Sequence, residues 1–195
     1  LSLYRVIDER MSDPILFTLA VLALLATPGP TNTLLAASGA SAGWRASLRL
    51  IPAEIAGYLI AVLTLHAMLA EAMDTWPSAR LAMRAGICLF LIWTAWRLWR
   101  SGCEGVAAPV LGPGRIFVTT LFNPKAFVFA FGVLPLSHPS APGYLAGFAV
   151  LITIVASAWI AFGAIVAGAS PRVGRHANRA AAVAVAGFAA LIASG

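Results

Sequence analysis

An all-α membrane protein is the fold class this sequence predicts: six transmembrane helices as two inverted three-helix repeats, with the first and fourth helices broken at prolines. Three observations predict it. Of 195 residues, 61% are hydrophobic and only 10% charged, with mean hydropathy +0.89, whereas a soluble domain carries about 25% charged residues. The apolar residues gather into six runs near the length of about 20 that a membrane span needs. Two of those runs contain residues that cannot continue a helix, Thr27-Pro28-Gly29-Pro30 and Asn123-Pro124-Lys125.

Taken in order, Leu1 to Arg10 is polar and unpatterned, so Met11 is the expected start, with residues 1–13 a leader and tail. The run that follows is too long for the apolar part of a signal peptide and lacks a cleavage context, so it reads as a retained helix. The spans are expected at 14–40 (broken), 47–70, 82–99, 116–135, 144–168 and 178–194. Together they form one transmembrane domain over 14–195, with repeat one about 14–100 and repeat two about 115–195. An odd number of spans per repeat makes the halves enter from opposite faces.

Arginines orient the chain. Arg45, Arg49, Arg97, Arg100, Arg115, Arg172, Arg175 and Arg179 fall on one side, against Arg80 and Arg84, or those two with Arg5 and Arg10, on the other. The positive-inside rule puts the larger group in the cytoplasm and both termini outside. Trp44, Trp76, Trp93, Trp96 and Trp99 lie near the ends of spans and read as interfacial anchors. Trp159, in mid-span, reads as packing. The last two spans are rich in small residues, among them Gly147, Gly163 and Gly187, which favour close helix approach.

The net charge of +6 suggests nucleic acid only when a basic run or stacking platform accompanies it, and none does. Cys88 and Cys103 form no CxxC pair. His66, His138 and His176 are dispersed, so no metal site is expected, nor any cofactor, nucleophile–base pair or phosphate cradle.

The breaks carry the functional expectation. A proline removes a backbone donor and clashes with the preceding turn, and freed peptide groups in hydrocarbon cost several kcal/mol each unless protein, water or ligand meets them. Interruptions in corresponding helices of two halves point to a carrier's substrate site. Glu54 lies roughly 12 Å into the second span at 1.5 Å per residue, and Lys125 reaches a similar depth in the fourth. Buried charges of this kind usually face a bundle interior or a water-filled path. Lys125 would attract a substrate carboxylate, with Glu54 binding an ammonium or carrying a proton; alternatively the two neutralise each other as structure. Thr27, Thr31 and Asn32 flank the first break and Asn123 the second, either lining a site or satisfying freed backbone. Tyr58 stands one turn above Glu54 on the same face, within reach of a hydrogen bond.

Thr27-Pro28-Gly29-Pro30, Phe122-Asn123-Pro124-Lys125-Ala126 and Leu91-Ile92-Trp93-Thr94-Ala95-Trp96-Arg97 resemble segments of the bacterial lysine-exporter and homoserine/threonine-exporter (LysE/RhtB) family. The resemblance runs over nearly the whole chain from Met11. It implies a six-helix, multi-pass exporter in the bacterial inner membrane that moves amino acids outward by proton antiport, with the two proline motifs in the site. One departure is Ile51-Pro52-Ala53-Glu54-Ile55-Ala56-Gly57, where the family often has regularly spaced glycines. Related superfamilies that carry electrons place cysteines beside the corresponding prolines, and this chain has none there.

The expected partners are the lipid bilayer, a small amino-acid substrate and protons, with a homo-oligomer left open and nucleic acid excluded. The substrate and coupling residues expected are Thr27, Pro28, Gly29, Pro30, Asn32, Glu54, Tyr58, Asn123, Pro124 and Lys125. Two competing readings stand beside the carrier: a non-transporting membrane assembly or sensor subunit on the same fold, and cation or metal efflux.

Overall fold

The computed structural model describes residues 13–76 and 112–166, with scattered helical positions between 78 and 100. Every regular element among them is helical. The sixth span, most of the third, and the leader before residue 13 lie outside the described residues, as do most of the arginines that orient the chain.

Helix α1 (Pro14–Ala26) begins where Asp13 accepts hydrogen bonds from the amides of Ile15 (2.7 Å) and Leu16 (3.2 Å), with Pro14 in the first turn. An acidic cap followed by proline is a strong local start, because both deal with amides that have no helical partner. The helix ends at Ala26, two residues before Pro28. Thr27 is extended (φ −65°, ψ 134°), and so is Gly29 (φ −158°, ψ 177°) before Pro30. Residues preceding proline are pushed out of the helical region by its ring, so two such residues in alternation open a full break.

Helix α2 (Pro30–Ala42) then starts with its axis turned 65° from α1. It ends at Gly43, whose φ of +81° is the left-handed conformation glycine adopts without penalty. A single turn, Trp44–Ser47, and a tighter turn, Leu48–Leu50, lead into α3 (Ile51–Thr75). Ser38 and Ser47 hydroxyls meet at 2.8 Å across this corner.

The second bent pair joins α4 (Pro113–Leu121) to α5 (Lys125–Val128), whose axis continues through a wider π-type turn at Phe129–Val133; the two arms differ by 55°. Leu134 is again extended (ψ 121°) ahead of Pro135. Helix α6 (Ala141–Val166) closes the described region.

Among the described residues two helices, Trp44–Leu69 and Ala141–Val166, are long and apolar enough to cross a membrane, and four spans result if each bent pair counts as one. Both expected breaks therefore fall where the prolines put them. The boundaries differ from expectation by a few residues: the first span reaches Ala42, and the fourth starts at Pro113.

Helix α6 runs through both halves of the core. At one end Phe148 and Ile152 pack with Val21, Leu24, Tyr58, Val62, Phe129 and Val133. Toward the other, Ala156 and Ile160 pack with Leu35, Leu50, Ile51 and Ile116. Glycines let α6 and α2 touch backbone to backbone. A Cβ on Gly39 would overlap the Ile160 carbonyl, and one on Gly163 the Ala36 carbonyl. Close small-residue crossings of this kind replace the hydrophobic drive that is missing between helices in lipid.

Trp159 is partly buried between the two cores, as a packing residue should be. Outward, Ile15, Leu19, Met68, Val150, Ile154 and Ile165 are exposed, an apolar surface suited to acyl chains rather than water. Trp44, Trp76, Trp93 and Trp96 are also exposed, and the Arg100 guanidinium lies 4.5 Å above the Trp96 ring centre.

Candidate functional site

The two breaks meet. Lys125 opens α5 just after Pro124, and its Nζ donates to Thr27 O, in the first break, at 2.6 Å. Thr27 O is freed because Pro28 and Pro30 interrupt the ladder. The same carbonyl accepts from Asn32 Nδ2 at 2.9 Å, and Asn32 Nδ2 also donates to Leu25 O at 2.6 Å. Thr27 turns its own hydroxyl back to Leu24 O at 2.7 Å. Asn32 and Thr27 thus serve the freed backbone of the first break, one of the two roles expected for them.

At the second break, Asn123 Oδ1 accepts from the Lys125 amide at 3.1 Å. This is the local side-chain bond by which Asn stabilises a turn. Its Nδ2 reaches outward, to Thr31 Oγ1 at 3.2 Å and to Tyr58 OH at 3.1 Å. Thr31 Oγ1 lies 3.2 Å from Thr120 Oγ1. Asn123, Thr31, Thr120 and Tyr58 therefore link the second break to α2, α4 and α3. All are 3% exposed or less.

Thr120 had no place among the residues expected at the site. Its signal in the sequence is the hydroxyl pair Thr119-Thr120 just before the break, in an otherwise apolar run. Glycine lets α3 approach here: a Cβ on Gly57 would come within 2.8 Å of Thr120 Cβ and 2.9 Å of Phe117 O.

The buried formal charges among the described residues are Glu54 and Lys125, 1% and 3% exposed. They are near enough to interact electrostatically. Lys125 Nζ nevertheless spends its hydrogen bond on Thr27 O, and Glu54 Oε2 has no hydrogen-bond partner. Tyr58, one turn above Glu54, directs its hydroxyl to Asn123 instead. The Tyr58 ring packs edge-on against Phe129 (5.6 Å) and Phe148 (6.0 Å), so an aromatic floor lies beneath this polar cluster.

Pro28 and Gly29 are half-buried, while Pro30 and Pro124 are exposed; each of those two prolines lies at the start of the helix that follows its break. Gly29 sits against Lys125, where a Cβ would lie 3.3 Å from Cε and 3.4 Å from Nζ. Among the described residues no three His, Cys, Asp or Glu side chains gather as metal ligands.

Chemically, the arrangement offers a carbonyl acceptor, a primary ammonium and a carboxylate oxygen with open valence, all out of water. Such a set has the donors, acceptors and charges to pair with a small molecule bearing both charges.

No family model matches the chain, and no solved structure matches it. Over 134 residues, 66% of this chain and 69% of the relative, it is 25% identical to the protein named cysteine/O-acetylserine efflux protein in Escherichia coli strain K12. Proteins of that name from Shigella sonnei and Shigella flexneri show the same identity and coverage. The chain is thus similar, distantly and along about two thirds of its length, to efflux proteins.

Proposed function

We propose that this chain is a secondary carrier that exports a small amino acid or related zwitterion across the bacterial inner membrane in exchange for protons. In this reading it is a LysE/RhtB-type exporter of six spans in two inverted repeats, with both termini outside. The observation that carries the proposal is the meeting of the two breaks: Lys125 Nζ on Thr27 O, with the unpartnered Glu54 Oε2 buried beside them. A relative named for cysteine and O-acetylserine efflux points to amino acids of that size.

Lys125 answers the substrate carboxylate. Glu54 supplies the negative charge that either the substrate ammonium or a proton must answer. With Lys125 turned to the substrate carboxylate, Glu54 is left without an answering charge, which is costly inside a membrane, so it favours states in which one of the two cations is present. That alternation is what couples the two fluxes.

Counterflow in proteoliposomes tests the proposal. Preloaded cysteine or O-acetylserine should accelerate uptake of the same labelled compound, and an imposed pH gradient should drive it. Glu54→Gln should keep the fold and lose at least tenfold of gradient-driven transport. Absence of exchange across a broad amino-acid panel would sink the carrier reading.

A further inference from the structure

We propose that Thr27 O is the station for the substrate's ammonium group, and that the Lys125 ammonium holds it as a tethered competitor which the substrate displaces. The inference rests on the reading of the chain as a zwitterion carrier.

The first reason is chemical identity. An α-ammonium and a lysine ε-ammonium are the same head group, three N–H donors on a tetrahedral carbon. A carbonyl that holds Nζ at 2.6 Å is therefore already a primary-ammonium acceptor. Of the 13 Lys and Arg residues, Lys125 is the sole lysine. An ammonium on a flexible four-carbon stem can change partners by rotation, whereas an arginine fork is built for a fixed planar one.

The second reason is that the station does not depend on its tenant. Asn32 Nδ2 bonds the same oxygen at 2.9 Å and Leu25 O at 2.6 Å. Thr27 O stays oriented when Nζ leaves, and a single residual donor leaves room for a second on its other lone pair. A brace with no other role would need no such backup.

The third reason is space and charge. The missing side chain of Gly29 leaves room for the Lys125 head group, since a Cβ there would stand 3.3 Å from Cε and 3.4 Å from Nζ. An ammonium head group is accommodated beside Thr27 O because position 29 carries no side chain. An ammonium placed there feels the Glu54 charge as Nζ does. Displaced Nζ then meets the incoming carboxylate. A zwitterion brings one charge of each sign, so the exchange leaves the buried charge balance unchanged.

A tethered competitor lowers the apparent affinity of any other ammonium for its station, as an unfavourable pre-equilibrium does. Removing it should raise that affinity. Ethylammonium, which carries no carboxylate, is the probe. Purified Lys125→Met should bind ethylammonium at least tenfold more tightly than the wild-type chain by thermal-shift titration. It should also lose counterflow of the zwitterion. Equal or weaker ethylammonium binding would overturn the inference.

If Lys125→Met does not fold, the wild-type chain still decides. With ¹³Cε/¹⁵Nζ-labelled lysine it gives a single side-chain resonance, and saturating ethylammonium should move it. A resonance that stays in place would overturn the exchange. Wild-type counterflow is read separately: its failure removes the carrier reading, whereas working counterflow with no gain in amine affinity removes only the station.

Discussion

The two helix breaks are built from the same kind of residue and leave over opposite chemistry. The first, at Thr27 to Pro30, turns the chain by 65° and presents acceptors: Leu25 O and Thr27 O, both taken by side-chain donors. The second, at Asn123 and Pro124, turns it by 55° and presents donors, Asn123 Nδ2 and Lys125 Nζ. A proline cluster on its own leaves unmet backbone in hydrocarbon. Set against each other, the two clusters supply much of what the other lacks. Glu54, on the unbroken α3, is the group this mutual arrangement leaves over. Around the two breaks, among the described residues, Glu54 Oε2 has no hydrogen-bond partner, and on the proposed carrier reading that open valence is where a ligand is accepted.

If the second break is the one that ties the elements together, Asn123→Ala should have the largest effect of the changes that spare both charges. It removes two interhelical bonds, each worth about 0.6 kcal/mol in a membrane. It also removes a turn-forming bond worth about 1 kcal/mol. The total is about 2 kcal/mol, read as a fall in melting temperature or in the denaturant midpoint. A change under half that size would mean that the second break is held by its apolar packing.

At the first break, Asn32→Ala should cost somewhat less, about 1–2 kcal/mol, because Thr27 O loses one of two donors and keeps Lys125, so only Leu25 O is left without a side-chain donor. Loss of folding would show instead that the asparagine is the hinge's sole fastening. Thr120→Val preserves shape and removes one bond to Thr31, so about 0.6 kcal/mol is expected. A larger loss would make Thr120 a member of the site rather than its lining.

The finest test of the comparison is coupling. Asn123→Ala and Thr31→Val should interact by at least about 0.5 kcal/mol in a double-mutant cycle, since they share a bond. Asn32→Ala with Thr120→Val, which share no partner, should add within about 0.5 kcal/mol.

How far the chain alone could be read differs between levels. The breaks were legible because proline acts on its own neighbours: Thr27, Gly29 and Leu134 are extended for a reason contained in the next residue. That Glu54 and Lys125 are buried was legible from their place inside apolar runs long enough to span a membrane. That Tyr58 bonds Asn123 and not Glu54 could not be read so, because a one-turn spacing says two side chains share a face and nothing about a third element facing them.

What the sequence determined by itself, then, is where the helices run, where they stop, and that charge is buried among them, for these follow from hydropathy and from steric rules that reach one to four residues. Tertiary structure decided which freed carbonyl meets which donor, that Asn32 turns inward onto its own break, and that the glycines of α2 and α6 set two backbones in contact. Among those choices, the Lys125–Thr27 bond joins residues 98 positions apart, and the glycine contacts join residues farther apart still. Their physical reason is satisfaction of polar groups away from water, which depends on what the whole fold brings near and not on any local rule.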